Sequence, residues 1–550
     1  MYSDKKNATL LTALLVAHGV RHVVVCPGSR NAALVHNFVT CSDLDCHAVT
    51  DERSAAFYAL GLTQATGTPA AVCVTSGSAL LNTLPAVAEA SLQREGIIVI
   101  SADRPAAWIG QLDGQTLPQP GALGEFVGKS VQVEEPRSAE DLWHATRLIN
   151  EALLCVKQRA RQSVHINVPL SRPLFEYNTP ELPHVVATRR IEAPCPTSEA
   201  LRDMLDDFKK ARRPMVIVGQ TRLSDAALRH LEELAPAVPV YMEPLSGWTN
   251  GLLNDALVAF AMQQHGAKEM APDFVIYVGA TVVGKHIKQL VRQSSDVSVW
   301  MTDEEGSLRD PLQHTVGVVE ARADDVIRLL PVPQSITFAQ QWTALSQQWE
   351  ALRETGELVF SQAEAVRLFE EAISQHATET QPAVHYANSN AVRLGCLLAK
   401  HKIWVNRGVN GIEGSVSTAA GFSLASGQRT YLVTGDLSFF YDGNALWNSE
   451  LNGDFRVLLL NNHCGGIMRS LDGMDRSAAL NDYISASHGA TAEGLCRTYN
   501  AQWLHAEGDN KPLREGIRQL VEMASDRPVV LEVTTDDRRD RQALKQLCGL

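Results

Sequence analysis

The chain has 550 residues, enough for several domains, with 45% hydrophobic and 20% charged residues, as in proteins with large buried cores. Its formal charge is −13, from 49 Lys and Arg against 62 Asp and Glu, which argues against a nucleic-acid surface because phosphate binding needs a basic face. No run of about 18 apolar residues occurs and the N-terminus lacks a secretory pattern, so no membrane partner and a cytoplasmic location are expected. The ten cysteines are scattered without a Cys-x-x-Cys pair, and several in apolar runs, such as Cys26, Cys73 and Cys396, read as small buried hydrophobes.

Taken in order, residues 1–178 alternate strands and helices. A helix at 10–18 leads to a strand at 23–26, which breaks at Pro27-Gly28-Ser29-Arg30. That turn is either an ordinary βα turn or a set of N–H groups and a guanidinium offered to a ligand. A strand near 47–49 runs into a helix capped by Thr50 or Asp51, with an apolar stripe at Ala55, Ala56, Ala59 and Leu62 and a stop at Gly67. Glu52 falls in its first turn, where an acid already complements the helix dipole. A strand at 70–75, one helix at 79–92 and a strand at 97–101 form a parallel βαβ unit that ends in Asp103-Arg104-Pro105. Residues 108–120, rich in Gly, Gln and Pro, read as a loop over that edge. A helix at 139–156 and a strand at 164–168 complete the unit.

Residues 176–197 hold four prolines and read as a linker. The segment 198–330 is a second α/β unit, with strands at 215–218, 274–278 and 297–301 and a helix capped by Ser224. It has no G-x-G-x-x-G after a strand, which counts against a dinucleotide site. Lys285 and His286, after the strand at 274–278, read as an ordinary helix face. A second linker at Pro331-Val332-Pro333 and helices at 338–354 and 362–375 lead to a third α/β unit, 355–550. Its strand 383–387 ends in Asn388-Ser389, and its strand 403–405 ends in Asn406-Arg407. The helix 415–425 is built of small residues, which allows close packing or an anion at its N-terminus. A strand ending at Gly435-Asp436, a helical crossover and a strand at 456–460 ending in Asn461-Asn462 set Asp436 and Asn462 at one sheet edge. Open α/β sheets bind ligands there. A carboxylate and an amide oxygen on adjacent turns suit Mg²⁺ or Ca²⁺ as well as they suit plain turns. A final strand spans 529–533. The expected fold class is three doubly wound α/β domains with mainly parallel sheets.

CPGSRN (26–31), TDERSAAFYALGL (50–62), VTSGSALLN (74–82), SADRP (101–105), ANSNAVR (387–393), NRGVNGIEGSVSTAAG (406–421) and GDLS (435–438) occur in that order. On these motifs the chain resembles the thiamine diphosphate-dependent decarboxylases and synthases. Among them it is most similar to the menaquinone-pathway synthases that join 2-oxoglutarate to isochorismate. The resemblance implies that Glu52 is catalytic, hydrogen-bonding the aminopyrimidine nitrogen of the cofactor so that the thiazolium carbon loses its proton. It implies cofactor contacts from Ser389, Asn410, Gly411, Ile412, Gly435, Asp436, Leu437, Asn462 and Ile467, with Ile412 as an apolar wedge between the two rings. Asp436, Asn462 and the backbone carbonyl of Cys464 would hold Mg²⁺ or Mn²⁺. Ser29, Arg30, Arg104, Gln115, Lys285, Arg393 and Arg407 would take the dicarboxylates, since guanidinium forks bind carboxylates bidentately. The family also implies a homodimer or homotetramer with active sites between chains. An acetolactate synthase-type enzyme is the competing reading, and four arginines argue against its small monocarboxylates. The chain departs from the family at Leu437 and Cys464, where glycine is usual, and at Gly114, His286 and Met468.

Overall fold

Runs of β-branched residues bounded by turns become three six-stranded sheets in the computed structural model, which describes residues 1–158, 161–190, 196–353, 358–376, 382–471 and 473–548. The first sheet contains β1 (His22–Val25), β2 (Asp45–Ala48), β3 (Ala71–Val74), β4 (Ile98–Asp103), β5 (Lys129–Gln132) and β6 (Val164–Pro169), in the order β2-β1-β3-β4-β6-β5. The second contains β7 (Pro214–Val218), β8 (Val240–Met242), β9 (Leu252–Leu253), β10 (Phe274–Val278), β11 (Ser298–Asp303) and β12 (Thr315–Glu320), in the order β12-β11-β10-β7-β8-β9. The third contains β13 (Ala383–Tyr386), β14 (Ile403–Trp404), β15 (Thr430–Gly435), β16 (Phe455–Asn461), β17 (Gln502–Glu507) and β18 (Val529–Thr534), in the order β14-β13-β15-β16-β18-β17. Every pairing is parallel. The doubly wound class expected from the alternation is therefore what forms.

The central strands match the expected runs, because a strand covered on both faces must be apolar throughout. β5, β9, β12 and β17 were not anticipated. They lie toward the sheet edges, and KSVQ, TVGVVE and QWLHAE are partly exposed and carry no continuous apolar run. β8 is fully buried, but its three residues are too few to show a period. The single helix expected at 79–92 is two, Ser78–Asn82 and Leu84–Gln93. Pro85 near the start of the second has no N–H to continue the first. Part of the 176–197 linker is tied back on the first unit: Tyr2 and Thr179 bridge, and the Asp4 carboxylate accepts from the Asn178 backbone and amide at 2.8 and 3.0 Å. Residues 191–195, with Cys195, lie outside the described residues.

The first and third sheets share one core. Helix Glu52–Thr66 lies against helix Ser415–Ser426, and buried Ala55, Ala56, Phe57, Val416, Ala419 and Leu432 belong to one apolar cluster. The small residues of 415–426 serve this approach: a Cβ added at Gly61 would lie 2.0 Å from the carbonyl oxygen of Thr418. Tyr58 Oη crosses the same interface to donate to the Ala445 carbonyl at 2.6 Å. The middle sheet has its own two cores, one on each face. Gly61→Ala is expected to lower stability by about 1–3 kcal/mol through forced separation of the two helices. A thermal melt of the purified variant reads this directly, and an unchanged Tm would contradict the packing described.

Candidate functional site

The third sheet reverses its strand order between β13 and β15, and such switch points open a crevice at the carboxyl ends of the strands. β13 runs out into Asn388-Ser389, and β15 ends at Gly435, opposite Leu460 of β16. Asp436 and Asn462 therefore leave adjacent strands on the same edge, as expected. The Asp436 carboxylate accepts from Leu437 N at 2.7 Å and from Cys464 N at 3.0 Å, which pulls the two turns together. Burial pushes this carboxyl up from its ordinary value, with those N–H groups and nearby His488 opposing. His488 Nε2 stands 3.4 Å from Asp436 Oδ2 and has no hydrogen-bond partner, and His463 Nδ1 is likewise buried and unpartnered among the described residues.

Asn462 Nδ2 donates to Asp540 Oδ2 at 3.3 Å, which leaves its Oδ1 on the side of Cys464, whose thiol lies 3.7 Å away. The Cys464 side chain is buried, and burial pushes its thiol up to about 11. The Cys464 carbonyl accepts from Gly466 N at 2.9 Å and keeps a second lone pair. Leu437, where glycine is usual, contributes its backbone N–H to Asp436 and lays its side chain toward Gly465. Neither departure removes an oxygen donor. Ile467 follows on the same loop, half-buried at the start of helix Gly466–Arg469.

Ser389 and Asn410 hold left-handed backbone, φ +72° and +70°, and Gln115 and His463 do so at +56° and +60°. Strained non-glycine residues of this kind collect at working sites. Asn388 Nδ2 donates to the carbonyls of Asn406 and Gly411 at 2.7 and 2.8 Å, and Ser438 Oγ donates to Ile412 O at 2.5 Å. These bonds fix the 406–412 turn and leave Ile412 40% exposed at its tip.

The arginines fall into two pairs. Arg393 Nη1 donates to Ser389 O at 2.7 Å and Arg407 Nη1 to Asn388 Oδ1 at 3.0 Å, so both stand over the turn after β13. Burial pushes the Arg407 guanidinium down, Glu243 opposes, and Arg393 adds to the fall. The other pair, on the first sheet, joins Arg30 after β1 to Arg104 after β4. Burial pushes Arg30 down, followed by the charges of Arg104 and Arg172. Arg104 is held by Asp113 at 2.9 Å and by the Gly114 carbonyl at 2.7 Å, which places Gln115 and Gly114 on the same loop. Ser29 is exposed beside Arg30. Arg104 Nε and Arg407 Nε are buried without a partner among the described residues, one in each pair. The four arginines thus come from two places in the chain, one pair on the first sheet and one on the third.

Glu52 opens its helix behind Asp51, whose side chain caps it by accepting from Arg53 N and Ser54 N, and Asn82 Nδ2 donates to Glu52 at 3.1 Å. No hydrogen bond or ion pair among the described residues joins Glu52 to the 435–467 turns. Lys285 is exposed immediately before helix His286–Arg292 on the middle unit. Sequence reasoning missed three residues here. Arg172 follows β6 on the first sheet. Lys288, one turn beyond Lys285, shares the surroundings of Glu243 and Arg407. Glu89 accepts from Gly408 N and Val409 N at 2.6 Å each, across 319 and 320 residues of chain. No local spacing announces such a bond.

Residues 5–122 match the thiamine pyrophosphate enzyme N-terminal TPP binding domain, and residues 391–533 match the C-terminal TPP binding domain. The first holds Glu52 and the first arginine pair, and the second holds the Asp436–Asn462 turns and the other pair. Proteins named 2-succinyl-5-enolpyruvyl-6-hydroxy-3-cyclohexene-1-carboxylate synthase are similar over the whole length. That of Phocaeicola vulgatus is 38% identical over 99% of this chain and 98% of its own. That of Bacteroides fragilis is 38% identical over 99% of both. That of Desulfotalea psychrophila is 32% identical over 97% and 98%. The chain belongs to this synthase family. It is a thiamine pyrophosphate-dependent enzyme, and the resemblance read from the motifs holds across the middle unit as well.

Asp442 closes the other flank of the synthase fold's third unit. Its carboxylate accepts from Ser417 N and Oγ at 2.7 and 2.8 Å, in the first turn of helix Ser415–Ser426. Burial raises this carboxyl from 3.8 to about 6. A folded value above the unfolded one means a penalty that is absent below about pH 4 and full above about pH 6, where it amounts to about 3 kcal/mol. The Tm difference between wild type and Asp442→Asn is therefore expected to move in favour of wild type as pH falls from 7 to 5. A constant difference would contradict the raised value.

Proposed function

We propose that the chain removes carbon dioxide from 2-oxoglutarate and adds the remaining succinyl unit conjugately to isochorismate, in menaquinone biosynthesis. The product would be 2-succinyl-5-enolpyruvyl-6-hydroxy-3-cyclohexene-1-carboxylate, the compound named in its relatives' title. The observation that carries this reading is the pair of unpartnered buried guanidinium nitrogens, Arg104 Nε and Arg407 Nε, one at each half-site. A buried N–H without an acceptor costs free energy until a ligand oxygen meets it. Two dicarboxylate substrates would supply such oxygens at both pairs and match the four guanidinium charges.

Bound thiamine pyrophosphate supplies the nucleophilic carbon and the electron sink that loss of carbon dioxide from a 2-oxo acid needs. Glu52 would hold a proton against the pyrimidine ring. Ser389, Asn410, Gly411, Gly435, Leu437 and Ile467 would line the cofactor, and Ile412 would separate its rings. Asp436, Asn462 Oδ1 and the Cys464 carbonyl fit Mg²⁺ or Mn²⁺, being hard oxygen donors on two turns already drawn together by Asp436. Arg30 and Arg104 with Ser29 and Gln115 on one side, and Arg393 and Arg407 with Lys285 on the other, would hold the carboxylates. Because Glu52 makes no bond to the metal turns of its own chain, the reading includes a homodimer or homotetramer in which each site draws on two chains. Among the described residues no helix is long and apolar enough to cross a membrane, which accords with a cytoplasmic enzyme.

Isochorismate consumption should require 2-oxoglutarate, thiamine pyrophosphate and a divalent cation together, and pyruvate turned over with comparable efficiency would overturn the assignment. Glu52→Gln is expected to abolish turnover while leaving cofactor affinity, measured calorimetrically, within a few-fold. Chelation of the metal should release the cofactor, seen as loss of its binding heat, and Mg²⁺ or Mn²⁺ should restore it.

A further inference from the structure

The turn between β10 and helix His286–Arg292 is held by two carboxylates from elsewhere in the middle unit. Glu243, 4% exposed, accepts from Val283 N, Gly284 N and Tyr241 Oη, each at 2.7 Å. Asp255 accepts from Lys285 N at 3.1 Å and His286 Nδ1 at 2.8 Å on one oxygen, and from His286 N at 2.9 Å and Ile287 N at 3.0 Å on the other. Five consecutive backbone N–H groups, 283 through 287, are thereby fixed by two side chains. The fit leaves no slack: a Cβ added at Gly284 would meet Tyr241 Oη at 2.2 Å and Asp255 Oδ1 at 2.4 Å.

This clamp faces the third sheet's arginines. Glu243 and Asp255 both act on the charge of Arg393, and Glu243 acts on Arg407. Lys288 Nζ, one helical turn past Lys285, donates to the Val282 carbonyl at 3.3 Å and feels both Glu243 and Arg407. Lys285 and Lys288, three apart, share one helix face. With each of their oxygens bonded to the turn's N–H groups, the two acids anchor a cation-bearing turn.

We propose that Asp255 and Glu243 are positioning residues for substrate recognition. They hold the 283–287 turn, so that Lys285, exposed before helix His286–Arg292, is fixed as a further cation for a carboxylate of isochorismate. The inference rests on the reading of Lys285 given under the proposed function. Replacing Asp255 by Asn turns one acceptor into a donor facing N–H groups, which opens the clamp while keeping the side chain's shape.

Steady-state kinetics of the holoenzyme test this, with isochorismate varied at saturating 2-oxoglutarate, thiamine pyrophosphate and Mg²⁺. Lys285→Ala should raise KM for isochorismate about tenfold with kcat within about twofold. Asp255→Asn should do the same, and the double variant should be no worse than Lys285→Ala alone, because both remove one contact. Glu243→Gln, which opens the other half of the clamp, should give the same KM-only change and carries the test if Asp255→Asn does not fold. KM for 2-oxoglutarate and cofactor affinity should stay unchanged throughout. Multiplicative effects in the double variant, or kcat and cofactor affinity falling together in the clamp variants, would overturn the positioning role. A Lys285→Ala enzyme with unchanged KM would instead remove the reading of Lys285 itself, and the inference with it.

Discussion

Carboxylates that accept backbone N–H groups hold several loops of this site. Asp51 caps the Glu52 helix, Glu89 grips 408–409, Asp436 joins its own turn to Cys464, Asp442 seats helix Ser415–Ser426, and Glu243 with Asp255 fix 283–287. Such bonds are charge-assisted and short, and each acid donates nothing, so it cannot be satisfied by a neighbouring carbonyl. A chain of formal charge −13 thus turns part of its acidity inward. The loops it fixes carry the cations: Arg407 precedes the Glu89 grip, and Lys285 sits inside the Asp255 grip.

The arrangement also explains why desolvation is tolerated. Burial raises Asp436, Glu243 and Asp442 above their ordinary range, and in each case backbone N–H groups oppose the rise. An unpaired buried carboxylate would instead stay protonated and lose its hold on the loop. The guanidiniums show the converse. Arg104 and Arg407 each keep one nitrogen without an acceptor, so the protein leaves its cations under-satisfied where its anions are fully engaged. That asymmetry favours an anionic ligand.

What was legible in the residues follows from sequence range. The Gly435-Asp436 and Asn461-Asn462 turns, the Asp51 cap and the central strands are local patterns, and they form where the periodicity placed them. The motifs add what spacing alone left open, namely that these turns lie in a thiamine pyrophosphate-binding domain. Edge strands such as β5 and β17 escaped because half-exposed segments need no apolar run. The Glu89 and Asp255 grips escaped for a different reason. They pair an acid with backbone amides, which every residue carries, so neither partner's identity marks the bond. Thr50 and Asp51 were equivalent caps on paper, and only the structure's bonds to Arg53 and Ser54 choose Asp51.

The first and third sheets have one topology: shifting each strand number of β2-β1-β3-β4-β6-β5 by twelve gives the third sheet's order. Both therefore reverse at the equivalent place, between β1 and β3 and between β13 and β15, and each presents an arginine pair near its carboxyl edge. Yet helix Glu52–Thr66 and helix Ser415–Ser426 pack so tightly, with Gly61 against Thr418, that the two sheets of one chain form a single core. Two like half-sites are then rigidly related, and neither contains both an acid at a helix start and a pair of metal-suited turns.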